Sequence, residues 1–577
     1  MKEKKNRLDS YWQIIWKQFK KNKIGILSLI VVSLFIVAGV YAPLLASSKP
    51  LFIAYEDTWY FPLFRYLFCR GFYSKRLDIF FNILMVTIPL MVFSAILFKK
   101  NYRKTIGGIL LFHILFFLHY AFRPITDPSS DPHLNKKRHE EIQKSLLERT
   151  HADPLLSELP EYPSWESDLQ YMTPYARLEL ILRYKQRKEQ NEKLKRYSSI
   201  YFKKTRQTIP SLWRVEQEHE INELNKNWVY LKKHKKIYIE SKKKLPSLIE
   251  IYKPLSNEFL QAKQAFQKKN ASPMDKKEFE RISQKTLERR KNLRKTRRII
   301  AKYEKTLSDS QYLLSKRKWL KRESRKIRSC IMPLLRPFHW EDDAGGSQSL
   351  NKYVNWKELT RINRKDLLAA LIFGTRISLV VGILSTLLAL SIGVPIGSIA
   401  GYYGGKIDIL VFRLLEIWES MPTLFMLLLL ISILQTKSIF LVITVLGLFS
   451  WTGFCRFIRG ETLKQRNLPY IDACKTMGFD DKYIIFSHIL PNSIPPLLTL
   501  LPFSIMGAIS SEAGLSFLGL GEEASCSWGA LMDEGRSAFP GESYLLWPPG
   551  ILLTTLLVAI ALVGDALRDA FDPKMHR

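Results

Sequence analysis

Recurrent apolar runs, several of them about 17–25 residues long, constrain this chain more than any other feature, because that length crosses a bilayer as a helix. The first occupies 24–45, and 79–98 and 106–122 follow. After a long polar gap the pattern returns at 377–399, 423–434 and 438–454. It continues in a segment interrupted by Pro495, Pro496 and Pro502, and ends in a run opened by Trp547. The length rule predicts about eight spans, three before the gap and five after it. The expected fold class is therefore an all-α membrane protein.

Charge sets the orientation. The 577 residues carry 88 Lys+Arg against 53 Asp+Glu, a net charge of +35. Lysines in the basic segment 1–23 place the start of the first span, 24–45, in the cytoplasm by the positive-inside rule. Within that segment YWQIIWKQF is aromatic and amphipathic, suited to the membrane interface, with a disordered tail as the alternative. The segment 46–78 then lies outside, and its WYFPLF string fits an interfacial aromatic belt. The turn KKNYRKT is what the cytoplasmic tip of a hairpin should look like, so 79–122 reads as a transmembrane hairpin. His113 and His119 in its second arm read as neutral histidines satisfied in a helix bundle.

The stretch 123–340 has no span-length run and carries about two-thirds of the net positive charge, so it is a soluble, helical excursion. Its helices are expected to end at Pro174, Pro210, Pro246, Pro254 and Pro273. Leu293, Ile300, Leu307 and Leu314 recur every seventh residue, giving one apolar seam. The second seam position holds Thr296, Tyr303 and Ser310, which favours a helical hairpin packed on its neighbours over a two-chain coiled coil. An odd number of spans before the excursion, or one span alone, leaves it extracytoplasmic.

Several chemistries find no support. The five cysteines are scattered, without zinc or redox spacing. His139-Glu140-Glu141 and His219-Glu220 lack the second histidine of a metalloprotease helix. GYYGGKID has Ile407 where a phosphate-binding loop needs Ser or Thr, and Ala400 where it needs its first glycine. No catalytic residue, metal site or cofactor is expected. The basic excess alone would admit nucleic acid, but it comes with little aromatic interleaving and no recognition motif, so none is expected as a partner.

The polar stretch 470–492, YIDACKTMGFDDKYIIFSHILPN, lies between two spans and hence at a membrane surface. Gly478 marks where its first helix should stop, and Leu490-Pro491 where the next segment should begin. It resembles the EAA loop of permease subunits of ATP-binding-cassette (ABC) importers. That pattern is Glu-Ala-Ala, three residues, Gly, nine more, then Ile-x-Leu-Pro. Here Asp472-Ala473-Cys474, Gly478 and His488-Ile489-Leu490-Pro491 fall at those spacings, with Asp for Glu and Cys for the second Ala.

The resemblance extends over 366–573, which is similar to a MetI-like permease core of the oligopeptide/dipeptide class. Gly374-Thr375-Arg376-Ile377-Ser378, EAGLSFLGLG, SWGALM and the tail GDALRDAFDP carry it, and the string after the first span resembles the Yej-type branch. Arg413 and Glu416, three apart on a helix, can form an intramembrane charge pair. The family carries a basic residue and an acid there, and Glu419 is extra. The resemblance implies an inner-membrane subunit working with a second homologous permease, two cytoplasmic ATPases and an extracytoplasmic peptide-binding protein. In that family the loop helix docks on the ATPase and transmits its closure. Nickel or peptide-like antibiotics remain open as alternative cargo. A membrane-anchored scaffold whose basic excursion binds anionic polymer or lipid remains open as an alternative role.

Overall fold

The computed structural model describes residues 11–71, 74–98, 102–125, 127, 129, 131–150, 155–156, 162–207, 212–267, 273–341, 361–362, 365–522, 525–537 and 545–571. The first ten residues, the hairpin tip at 99–101, Pro210 and the end of the tail motif at 572–573 lie outside them.

The chain begins with α1 (Tyr11–Lys21) and α2 (Lys23–Val40), then a hairpin of β1 (Phe52–Tyr55) and β2 (Thr58–Tyr60). Two apolar helices follow, α3 (Arg76–Leu97) and α4 (Tyr102–Phe122). The polar stretch holds α5 (Pro132–Thr150), α6 (Trp165–Gln170), α7 (Pro174–Thr205), α8 (Leu212–Phe266), α9 (Pro273–Glu323) and β3 (Ile327–Ile331). Then come α10 (Leu367–Tyr403), α11 (Gly405–Glu419), α12 (Thr423–Leu434), α13 (Ile439–Arg466) and α14 (Pro469–Thr476). The chain ends in α15 (Asp481–Leu498), α16 (Leu501–Phe517), α17 (Trp528–Ser537) and α18 (Trp547–Phe571).

Among the described residues, six helices are long and apolar enough to span a membrane: α2, α3, α4, α10, α13 and α18. The pairs α11–α12 and α15–α16, bent by 72° and 58°, bring the number to eight if each is one span. The second bend follows from Pro502, which sits in the first turn of α16 where a missing N–H is harmless.

Two compact units form: 1–52, 63–125 and 331–577 in the first, 53–62 and 126–330 in the second. In the first, α10 and α13 pack along glycines. Gly393, Gly397 and Gly401, four residues apart, form one stripe on α10. A methyl group on each would meet the carbonyl oxygens of Trp451, Cys455 and Arg459, themselves four apart on α13, at 2.5, 2.4 and 2.8 Å. The two positions rise together, so the helices run parallel and their C-terminal ends share one side. Small-residue stripes permit this close approach where lipid supplies no hydrophobic drive.

The described part of the N-terminal segment is the helix α1, which packs on the last span. Ile15 and Phe19 of α1 are buried against Ala566 and Ala570 of α18, while Trp16 remains half exposed. The tail motif supplies small residues for this contact: a side chain at Gly25 would lie 2.4 Å from Ala566. Within the α3–α4 pair His113 is buried, its Nδ1 3.1 Å from the Thr87 hydroxyl and its ring edge-on to Phe80, while His119 is exposed.

In the second unit α8 and α9 form an antiparallel hairpin. Tyr238 stacks on Tyr303 at 4.1 Å about midway along, and Phe266 on Phe279 at 4.9 Å near the connecting end. Leu293 and Ile300 of the seam are fully buried, Leu307 and Leu314 partly. The helices before Pro174 and Pro273 end short of them, as expected, and each proline opens the next helix, but Pro246 and Pro254 do not end one: both lie inside α8. They are exposed and eight residues apart, on the side away from buried Tyr252 and Leu255, so water reaches the carbonyls they leave unpaired.

The all-helical expectation misses a small sheet of order β2-β1-β3 in this unit. β1 and β2 pair Tyr55 with Thr58 around Glu56 and Asp57, both at positive φ (47° and 61°). Two left-handed residues in a two-residue loop match the twist of a hairpin. The sheet packs Ile53 and Tyr55 on Leu178, Ile181 and Leu320.

Candidate functional site

The stretch 470–492 folds as helix, turn, helix at the end of the first unit where α10 and α13 finish. Pro469 opens α14 and Gly478, at φ +77°, reverses the chain after it. The inner side of the loop is a compact cluster of Ile471, Cys474, Ile484, Ile485 and Ile489 around Tyr402 of α10. The Tyr402 hydroxyl donates to Asp481 at 2.6 Å, and Lys475 lies 5.8 Å over the Tyr402 ring. The loop is thereby keyed to the end of α10. Tyr402, invisible as a site residue in the sequence, is the part that makes this connection.

The loop's residues divide by face. Asp472, Ala473 and Gly478 are exposed, and Lys475 lies 3.8 Å from Asp472. Cys474 is 5% exposed and belongs to the inner cluster, so the cysteine that stands at the second Ala position touches the permease itself and not a docked partner. Its small size is what the packing needs. Met477, Phe479, Tyr483 and Phe486 are exposed, with Phe479 stacked on Tyr483 at 5.1 Å and His488 edge-on to Tyr483. Aromatics bare in a polar loop were the available sequence clue to this face. They form an apolar patch rimmed by charge, the usual surface of a contact site.

Leu490-Pro491 opens an α-helical segment, Leu490–Leu498, as expected, but the segment continues a helix already under way. That helix starts at Asp481 and runs through a π-turn at Ile484–Ile489, where the N–H of Leu490 reaches back to Ile485. Pro491 in a regular helix would clash with the carbonyl four residues earlier; the wider π-turn relieves that clash.

At the opposite end of α10 the remaining motifs converge. A side chain at Gly374 would meet the Cys526 carbonyl at 2.5 Å and the Trp528 ring, and one at Gly529 the Ala513 carbonyl at 2.2 Å. The Trp528 indole donates to the Leu371 carbonyl at 3.0 Å. Glu512 is buried and accepts from the Ser516 hydroxyl at 2.6 Å. Arg376 is fully buried; its guanidinium donates to the carbonyls of Gly39 and Val40 in α2, to Asp78 at 2.8 Å and to Asn82 at 2.9 Å in α3. One side chain thus ties α10 to the first span and to the α3–α4 pair.

Arg413 and Glu416 pair at 2.7 Å on α11, with side chains 72% and 48% exposed. The added Glu419 pairs with Arg456 at 2.6 Å. Asp408 is held by Arg459 in a two-pronged pair. Among the described residues no cluster of three or more His, Cys, Asp or Glu could hold a metal.

His339, buried beside Phe373, accepts from the Glu341 backbone N–H at Nδ1, 3.3 Å away. Burial, and then the Arg376 guanidinium, push its titration down to about 3. Glu341 lies 4.0 Å from the same nitrogen but is itself more exposed, and the accepted N–H already fixes the neutral form. An unfolded histidine titrates near 6.5. The folded value is lower, so this group's contribution is intact above about pH 6.5 and is lost as pH falls below it. At pH 5 it costs about 2 kcal/mol. Thermal melts of the solubilised protein at pH 7 and pH 5 should show His339→Gln losing less on acidification than the parent; an equal loss would reject the assignment.

Six to eight apolar helices, a parallel glycine-packed pair and a helical loop keyed to its end define a multi-pass membrane transport component. Residues 393–577 match the family described as Binding-protein-dependent transport system inner membrane component, and 10–62 match the N-terminal TM domain of oligopeptide transport permease C. The chain is 36% identical to the oligopeptide transport system permease protein OppC of Haemophilus influenzae, over 42% of this chain and 79% of that protein. It is 38% identical to the inner membrane ABC transporter permease protein YejE of Escherichia coli, over 38% of this chain and 64% of that protein. A solved chain of the MetNI methionine ABC transporter aligns over 35% of this chain and 97% of its own length, at 19% identity and a TM-score of 0.31. The chain belongs to the oligopeptide/dipeptide permease family of ABC importers. It is a multi-pass protein of the bacterial inner membrane, with the all-α fold of type I importer permeases.

Proposed function

We propose that this chain forms, with a second homologous permease, the pathway by which an ABC importer moves oligopeptides, and that α14 and its turn are the point where two cytoplasmic ATPases act on it. The observation that carries this reading is a helix anchored on one face and bare on the other. Ile471 and Cys474 fix α14 to Tyr402 and α15, while Asp472, Ala473, Met477 and Phe479 stand free for a partner. A push on such a helix reaches α10 through the packing of Ile471 and Cys474 on Tyr402 and through Lys475 over its ring, while the Tyr402–Asp481 bond ties the start of α15 to the same residue. The chain itself catalyses nothing in this reading; hydrolysis in the partners supplies the coupling free energy that shifts the bundle between two states. Peptide cargo is supported by the names of the relatives, and an extracytoplasmic binding protein would deliver it. Arg413–Glu416 serves as a structural pair at the membrane surface.

A photo-crosslinker at position 475 should capture an ATPase subunit in cells that assemble the complex. Gly478→Pro should abolish peptide uptake while the protein still reaches the membrane. Capture of no ATPase, with the complex intact, would reject the docking site; uptake unchanged in Gly478→Pro would favour the scaffold alternative. Parity of three spans before residue 123, beginning from a cytoplasmic N-terminus, puts 123–340 outside the cytoplasm. Protease added to intact spheroplasts should then cut near Lys291, and cleavage only after lysis would overturn that side.

A further inference from the structure

We propose that a cavity of about 350 Å³ in the first unit binds the zwitterionic end-groups of a free amino acid or dipeptide. This rests on the peptide-importer reading and assigns the cargo a site within this chain. The volume is at the lower end of small-ligand pockets and suits one or two residues. Its apolar walls are Trp340, Phe373 and Phe440, and its charged wall pairs Lys75 with Glu522. The other charges lining it are committed: Asp78 to Arg376, Arg70 to the Ala121 carbonyl at 3.0 Å, and Arg76 to the Phe122 ring, 5.2 Å from its guanidinium carbon.

Lys75 Nζ and Glu522 Oε2 stand 3.8 Å apart, with side chains 35% and 25% exposed. That is about 1 Å longer than a charge-assisted hydrogen bond. A ligand carboxylate can therefore take Glu522's place at Lys75 while its ammonium takes Lys75's place at Glu522, leaving no charge uncompensated. Phe373 and Phe440 then receive an apolar side chain, while Trp340 stays under the Lys75 and Lys365 ammonium groups at 5.4 and 5.9 Å. Lys75 and Trp340 lie outside both matched family segments, 10–62 and 393–577, whereas Glu522 and Phe440 lie inside the second.

The test is equilibrium binding of Ala-Phe, N-acetyl-Ala-Phe and Ala-Phe amide to the purified full chain in nanodiscs. Blocking either terminus should weaken binding at least tenfold. Glu522→Gln should weaken Ala-Phe at least tenfold yet leave N-acetyl-Ala-Phe unchanged, and Lys75→Met should do the same for the amide. Lys75→Arg should retain binding, which guards against a folding defect. Equal binding of blocked and free peptides, variant and blocking losses that simply add, or no binding at millimolar Ala-Phe would each overturn the site. Those failures leave the importer reading standing, since that reading fails only if cells carrying the whole complex take up no peptide.

Discussion

Gly397→Leu should leave no folded protein in the membrane, and Gly397→Ala only a fraction of the parental amount. The added Cβ alone would sit 2.3 Å from Ile458 Cγ2 and 2.4 Å from the Cys455 carbonyl oxygen. A side-chain tip can swing away, but a carbonyl inside α13 cannot move without moving the helix. Relief therefore requires α10 and α13 to separate, which would also open the contacts at Gly393 and Gly401. Ordinary overpacking costs about 1–3 kcal/mol, and a backbone obstruction in a rigid seam should exceed that range. With total stabilities of only about 5–15 kcal/mol, such a loss is close to fatal. Gly460→Ala is the control: position 460 is helical, on α13, and a methyl group there would meet nothing within 4 Å. Membrane levels and thermal melts of the three variants decide the matter. Equal tolerance of alanine at 397 and 460 would mean the seam is not close-packed.

That seam shows where sequence reasoning stops. The apolar runs were legible because lipid imposes one length and one backbone geometry on every span. Gly478 and the loop spacing were legible because a left-handed residue after a short helix needs glycine. The stripe Gly393, Gly397, Gly401 is visible as a small-residue repeat, but only a partner helix with carbonyls at the same spacing gives it meaning. The β1–β2 hairpin was hidden because its turn uses Glu56 and Asp57 where glycine or asparagine would have announced it. Pro246 and Pro254 misled because the rule that proline ends helices yields when the freed carbonyls face water and a partner helix holds the rest. Of the loop, the outward residues were legible from spacing. The inward role of Cys474 and the key at Tyr402 depend on a helix nearly seventy residues earlier, and no local pattern carries that.

Arg376→Met should destabilise the protein by about 3–5 kcal/mol, the cost of leaving one member of a buried ion pair without its partner. Arg376 has no exposed surface and Asp78 is nearly as buried, so water cannot replace either. The loss should fall at the upper end of that range, because the same guanidinium satisfies Asn82 and the carbonyls of Gly39 and Val40, where α2 ends. Asp78→Asn should cost less: the amide oxygen can still accept from Arg376, and the remaining positive charge keeps three neutral acceptors, with Phe81 and Phe373 each 5.2 Å from the guanidinium carbon. Combining Arg376→Met with Asp78→Leu removes both charges together. Replacing a whole buried pair by apolar side chains is often near neutral, so the double variant should be more stable than Arg376→Met alone. Thermal melts of the parent, Arg376→Met, Asp78→Leu and the double variant close the cycle. A double variant whose loss equals the sum of the single losses would show that Arg376 and Asp78 are not coupled. In that case α3 would be attached to α10 by packing alone, and the tie between the α3–α4 pair and the transport core would have to lie elsewhere.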